Sequence, residues 1–222
     1  MMQKKTDQAR FNMIEQQIKP WNVNDSRVLD AMRHIRREDF VPEAHRDMAF
    51  MDIAIPLDTG AMLEPKLVAR MLQSLDAGST DRVLIVGVGT GYVAALLSQC
   101  AHSVICVEPN AELVEGAKQK LAMAGISNVQ FECGDANDGW PACGEVDRVF
   151  VRSSMAVMPS QLCKQLSQSG RCVAVVGGGD TMELFCYHQE NGKIVADSVL
   201  DTVIPRFGET TSQVESKAEF IF

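Results

Sequence analysis

Cys-x-x-Cys spacing is missing from the 222-residue chain, although it carries seven cysteines, an odd number. Their positions (100, 106, 133, 143, 163, 172 and 186) argue against a disulfide framework or a cysteine-rich zinc site. They point instead to reduced thiols, buried as small apolar residues in a cytoplasmic protein. Positive charge is in deficit: 21 Lys+Arg face 29 Asp+Glu, for a net charge of -8. Such a surface repels phosphate backbones and anionic headgroups, so neither nucleic acid nor membrane is an expected partner. A long apolar run is also wanting. The longest stretch free of Asp, Glu, Lys and Arg, Val83 to Val107, is interrupted by three glycines, Thr90, Ser98, Gln99, His102 and Ser103. It parses as strand, loop, helix and strand, not as a membrane span. Lys4 and Lys5 are followed by no apolar segment, which excludes a secretory signal at this point of the chain. The four histidines (34, 45, 102 and 188) have no metal-ligand spacing, so no metal is expected. No internal repeat or low-complexity segment is visible.

What is present divides into two rhythms. Residues 8–57 read as a helical cap, within which Asn24 or Asp25 can open a helix through Ser26–Ile35. Val28, Leu29, Met32 and Ile35 give that helix one apolar face. Pro56 to Pro65 reads as an irregular loop, and Lys66–Leu75 is again amphipathic. From Asp81 onward, short apolar runs alternate with helical segments. Strands are expected at 82–86, 103–107, 128–132, 146–151 and 171–176, and helices at 92–99, 111–124 and 160–166. That alternation specifies a parallel sheet covered on both faces. After Gly177-Gly178-Gly179 the helices stop. Residues 182–188 and 193–200 flank Asn191-Gly192, a hairpin dipeptide, and 217–222 alternates as a last strand. Two regions are expected: an N-terminal helical region with an acceptor loop (1–78), and a core (79–222).

The stretch Val83-Leu84-Ile85-Val86-Gly87-Val88-Gly89-Thr90-Gly91-Tyr92 carries the most information. A buried strand enters a glycine turn and leaves as a helix whose first N–H groups are free for a polar ligand. Glycine permits the sharp turn and a close approach to the backbone. Glu108 closes the next strand, where its carboxylate can accept both hydroxyls of a ribose. Asp135, after Gly134 at a third strand end, can meet an adenine amino group. The three features in order indicate adenosine. The spacing is Gly-x-Gly-x-Gly and not the Gly-x-Gly-x-x-Gly of dinucleotide sites, and no P-loop lysine follows. S-adenosylmethionine, a nucleoside without phosphate, suits such a loop. Gly87, Gly89, Thr90, Gly91, Glu108 and Asp135 are therefore the candidate cofactor-binding residues.

At these residues the chain resembles the protein-L-isoaspartate O-methyltransferase family, within the class I S-adenosylmethionine-dependent methyltransferases. The resemblance spans roughly residues 8 to 185. It rests on Arg10-Phe11-Asn12-Met13-Ile14-Glu15-Gln16-Gln17-Ile18, Val28-Leu29-Asp30-Ala31-Met32, Arg37-Glu38-Asp39-Phe40-Val41-Pro42 and Ala49-Phe50-Met51-Asp52. It continues through Gly134-Asp135, Gly139-Trp140-Pro141 and Val157-Met158-Pro159-Ser160-Gln161-Leu162. It implies an α/β, Rossmann-like, doubly wound seven-stranded mixed sheet with an N-terminal helical extension. It also implies methylation of a carboxylate on proteins or peptides carrying isoaspartate. A methyltransferase with a different acceptor, another protein or a small molecule, and a non-catalytic binding module are the alternatives.

Two departures stand out. The family's Gly-x-Thr-Ile-Ser-x-Pro loop is here Gly60-Ala61-Met62-Leu63-Glu64-Pro65, with Leu63 at the Ser position and Ala61 at the Thr position. The acid usually found two residues before the first loop glycine is Ile85. Thr59, the nearest hydroxyl upstream, Glu64, and Ser153 within Arg152-Ser153-Ser154 are the candidate acceptor-side residues. Arg152 can attract a substrate carboxylate. Glu64 either faces the acceptor or caps the helix opening at Pro65. Asp52 and Asp147 are expected to be structural.

Overall fold

The computed structural model describes residues 2–58, 60–179 and 181–206. Thr59 and the last strand expected at 217–222 lie outside the described residues.

The N-terminal region opens with α1 (Met2–Met13), runs through a π-helical turn (Ile14–Ile18) and reaches α2 (Ser26–His34). Asp25 caps α2, its carboxylate accepting from the Arg27 amide, which would otherwise lack a partner. A short antiparallel pair, β1 (Ile55–Pro56) and β2 (Ala61–Met62), leads to α3 (Pro65–Leu75). The irregular loop expected between Pro56 and Pro65 is thus a small hairpin. Its strands are two residues long, too short to leave a period in the sequence. Proline opens α3 at the position where its missing N–H costs nothing, and Asp76 ends it in the left-handed region (φ 54°).

The core follows as β3 (Arg82–Val86), α4 (Tyr92–Ser98), β4 (Ser103–Glu108), α5 (Ala111–Met123), β5 (Val129–Cys133), β6 (Val146–Val151), α6 (Ser160–Lys164), β7 (Leu166–Gly178), β8 (Thr181–Glu190) and β9 (Lys193–Asp201). Among the described residues these strands form one sheet in the order β5-β4-β3-β6-β7-β8-β9. The first five are parallel, and β8 and β9 return antiparallel. Asn191 and Gly192 turn the last hairpin with φ 53° and 76°, the positive pair a tight turn requires. Expected boundaries move most at β7, placed over 171–176 and found at Leu166–Gly178. The helix placed over 160–166 ends at Lys164, because Leu166 already pairs with Val146 and begins the long β7.

Side-chain alternation covers both faces of the sheet. Val83, Ile85, Val104, Cys106, Phe150 and Val173 join an apolar cluster that also takes in Met13, Met32, Leu67 and Met71 from the N-terminal region. Leu84, Val86, Ile105, Val107, Val149 and Cys172 point the other way, against Leu162 and Leu166. The N-terminal region and the sheet therefore share one core. Five cysteines are buried as anticipated, but Cys100 is partly exposed and Cys133 is exposed. All seven are unpaired. No helix among the described residues is long and apolar enough to cross a membrane.

Candidate functional site

The sheet order reverses at β3, with β4 and β5 on one side and β6 on the other. In open sheets of this type, ligands bind beyond the carboxyl ends of the strands at that point. The candidate residues gather there.

Gly87, Gly89 and Gly91 all have positive φ (87°, 53° and 86°), which explains three glycines in five residues. Their neighbours differ. A Cβ at Gly91 would lie 2.9 Å from Leu121 and 3.0 Å from Ala117, so this glycine lets α5 pack against the loop. A Cβ at Gly89 would come within 3.0 Å of the Arg152 Nε. The room created at Gly89 is bordered by a guanidinium of the chain itself, a neighbour the sequence alone does not reveal.

Glu108 lies where the sequence put it and is only 2% exposed. One carboxylate oxygen accepts from the Val88 amide at 3.0 Å and the other from the Asn110 amide at 3.2 Å. These bonds fix the carboxylate beneath the loop. Each oxygen keeps a further acceptor position, the arrangement a ribose diol needs. Asp135 is exposed at the end of β5, where its Oδ1 accepts from the Asn137 amide at 2.9 Å. Gly134 beside it is packed under Trp140, whose ring a Cβ would meet at 2.4 Å. The acidic partners and the glycine turn thus stand at three adjacent strand ends. Ile85 is buried in β3, with no polar role.

Two buried arginines organise the 61–63 loop. Arg37 is fully buried, its Nε donating to the Ala49 carbonyl at 2.9 Å and its Nη2 to the Leu63 carbonyl at 3.0 Å. Its guanidinium lies 5.1 Å from the centre of the Tyr92 ring. Arg152 donates from Nη1 to the Ala61 carbonyl at 2.9 Å. Burial lowers the proton affinity of both guanidinium groups; Glu64 is among the groups opposing this at Arg37, and Glu108 opposes it at Arg152. Burial also pushes the Tyr92 hydroxyl up to about 12, so it stays protonated near neutrality.

Glu64 is the residue before α3, but its side chain makes no capping bond. It occupies the N-cap position half-buried, not exposed, and its Oε2 lies out of water without a hydrogen-bond partner. Ser153 is buried, as is Ser154, whose hydroxyl donates to the Ile204 carbonyl at 2.9 Å. The Ser154 hydroxyl is therefore held by the chain. Asp52 pairs with Lys66 at 2.7 Å, and Asp147 accepts from the Arg82 amide and the Ser167 hydroxyl.

Two cavities meet at the glycine turn. A cavity of about 370 Å³ is bordered by Gly89 and Thr90, by Leu113 and Lys120 of α5, and by His45 and Leu57 of the N-terminal region. Thr90 also borders a small space of about 20 Å³, next to Arg37, Leu63 and Arg152. Sequence reasoning missed Arg37, Tyr92, His45 and Lys120. Arg37 stands in a run of charged residues that reads as a solvated surface, and only the packing of Phe40, Tyr92 and the 61–63 loop removes it from water.

The sheet order, the glycine turn and the acid closing the second core strand define a class I methyltransferase. The model of the protein-L-isoaspartate(D-aspartate) O-methyltransferase family matches residues 8–208, and the chain belongs to this family. It is 38% identical over 172 residues to a protein-L-isoaspartate O-methyltransferase of Pelobacter propionicus, covering 77% of this chain and 76% of the relative. A relative from Methanoculleus marisnigri is 36% identical over 186 residues, with 83% and 84% covered. Among solved structures, a protein-L-isoaspartate O-methyltransferase superposes with a TM-score of 0.78 at 25% identity, over 92% of this chain and 66% of that one. A Plasmodium falciparum beta-aspartate methyltransferase, crystallised with S-adenosyl-L-homocysteine, shares the fold with a TM-score of 0.75 at 18% identity. That match covers 90% of this chain and 97% of the other.

Proposed function

We infer that the chain transfers a methyl group from S-adenosylmethionine to a carboxylate oxygen of isoaspartate in a protein or peptide. One observation carries this reading: a buried carboxylate, Glu108, held by backbone amides beneath the glycine turn with an acceptor position free on each oxygen. Such a group binds a vicinal diol, and family membership supplies the reaction type.

Gly87, Gly89, Thr90 and Gly91 would hold the cofactor's backbone-facing side, Glu108 its ribose and Asp135 its adenine. When bound, the cofactor supplies an electrophilic sulfonium methyl group. An acceptor carboxylate is ionised at neutral pH and needs no base, so the work left to the chain is desolvation and alignment. Leu63, Ala61 and Val88 line the small space beside Arg152 with buried apolar groups. An unbalanced Glu64 would repel an acceptor carboxylate by about 4 kcal/mol at 4 Å and an effective dielectric near 20. Arg37 offsets that charge. Glu64 and Ser153 would flank the acceptor in this reading, and the sequence adds Thr59 as a candidate. The net charge of -8 and the unpaired thiols fit a protein acceptor in a reducing cytoplasm, without nucleic acid.

The test is an isoaspartyl peptide incubated with the chain and methyl-labelled cofactor. A base-labile methyl ester on that peptide, and none on its aspartyl counterpart, is the expected result. Binding of the cofactor with no ester formed would overturn the acceptor assignment.

A further inference from the structure

Arg37 and Arg152 border the same small space of about 20 Å³, approaching it from the N-terminal region and from the end of β6. Both are more than nine-tenths buried. Each uses part of its guanidinium on loop carbonyls, and each keeps a buried nitrogen, Nη1 of Arg37 and Nε of Arg152, without any hydrogen-bond partner. Among the described residues, neither has a carboxylate within ion-pair distance. An unsatisfied buried donor costs about 1–3 kcal/mol and more when charged, so two around one space call for a ligand.

The walls narrow the choice. Met62, Leu63, Val68, Val88 and Val93 offer no acceptor side chain, and the two hydroxyls at the space are those of Thr90 and Tyr92, the latter buried beside Arg37 without a hydrogen-bond partner of its own. The volume is that of about one water-sized group. A planar oxyanion matches a guanidinium fork, and its oxygen is of that size. Glu64 and Glu108 already balance the charge of the two arginines at longer range. The cluster therefore tolerates one added negative charge better than the two of a phosphate.

We propose that Arg152, backed by Arg37, is a carboxylate-binding residue that holds the reacting partners in register where Leu63 offers no hydroxyl. Two carboxylates reach this region in the methyltransferase reading on which the proposal rests: that of the acceptor, and that of the cofactor's amino-acid end. The chemistry is shared, and the transfer balances with either. An acceptor oxygen bonds to the methyl carbon, the carbon–sulfur bond breaks, and its electron pair returns to sulfur. Anionic carboxylate and cationic sulfonium become neutral ester and neutral thioether. The ester no longer carries the charge.

Calorimetric titration of the full chain distinguishes the sources. The ligands are S-adenosylhomocysteine, methylthioadenosine (the same nucleoside thioether without a carboxylate), and an isoaspartyl peptide added to the S-adenosylhomocysteine-loaded protein. If the cofactor end is held, Arg152→Gln weakens S-adenosylhomocysteine by at least about tenfold and leaves methylthioadenosine within about twofold. If the acceptor is held, the nucleosides are unchanged and the peptide weakens by at least about tenfold. Arg152→Lys keeps the charge without the fork. It should weaken the affected ligand by about threefold or more, and it carries the test if the glutamine variant fails to fold. Folded variants that bind all three ligands within about twofold of wild type overturn the proposal. Wild-type protein that binds neither nucleoside removes the methyltransferase reading itself, and the proposal with it.

Discussion

The carboxylate of Glu108 and the amide of Val88 lie 3.0 Å apart, joining the end of β4 to the glycine turn that follows β3. This bond makes the acid proposed to bind the ribose a structural part of the loop as well. Glu108→Ala leaves the Val88 and Asn110 amides without their acceptor. The expected loss is about 1–3 kcal/mol of stability and a comparable loss, roughly tenfold to a hundredfold, in affinity for S-adenosylhomocysteine. Calorimetry on the folded variant checks it, and unchanged affinity removes the ribose contact.

Two glycines of the same region should respond with opposite sign. Gly91→Ala places a methyl group against Leu121 and Ala117 at a φ of 86° and should cost about 2–4 kcal/mol. Gly116, within α5, has nothing within 4 Å of a new Cβ. Gly116→Ala should stabilise by about 0.5–1 kcal/mol through helix propensity. Urea unfolding of the pair gives both signs in one experiment.

Acid stability should depend on Asp25. The hydrogen bond from the Arg27 guanidinium holds its carboxyl below the usual value, despite partial burial that acts the other way. A depressed folded pKa contributes stability that is complete above the unfolded value of about 3.9 and is lost as pH falls through the folded value. Asp25→Asn keeps a competent cap but removes the charge. The difference in unfolding free energy between wild type and this variant should be constant from pH 7 to about 5 and shrink below about pH 4.

Trp140 offers an optical reading of adenine binding. Its ring covers Gly134, its Nε1 donates to the Glu132 carboxylate at 2.5 Å, and Asp135 is the next residue along the chain from that glycine. The only other tryptophan, Trp21, is 43% exposed and lies beneath Lys66. In Trp21→Phe protein, S-adenosylhomocysteine should change the Trp140 emission saturably. A flat titration under conditions where calorimetry records binding would separate Asp135 from the ligand.

The parallel core was legible because each signal is local. Apolar runs bounded by turn residues became β3, β4 and β6, and the acid ending β4 could be placed beside the loop from strand order alone. The asparagine–glycine dipeptide likewise marked its own hairpin. Other features depend on contacts distant in sequence. Nothing near Gly91 indicates that Leu121 will press on it, and nothing in a charged run indicates that Arg37 will be buried. Arg152 could be placed at the rim from the sequence, but its burial could not, because that depends on the 61–63 loop folding over it.

Both buried arginines grip the 61–63 loop by its main chain, through the carbonyls of Ala61 and Leu63, and Arg37 ties in Ala49 as well. Main-chain carbonyls persist whatever side chains the loop displays. The path of this segment is thereby decoupled from its chemistry, and residues 61 and 63 are free to drift between hydroxyl and hydrocarbon without unmooring it. Acceptor preference can evolve here one substitution at a time on a scaffold that stays still.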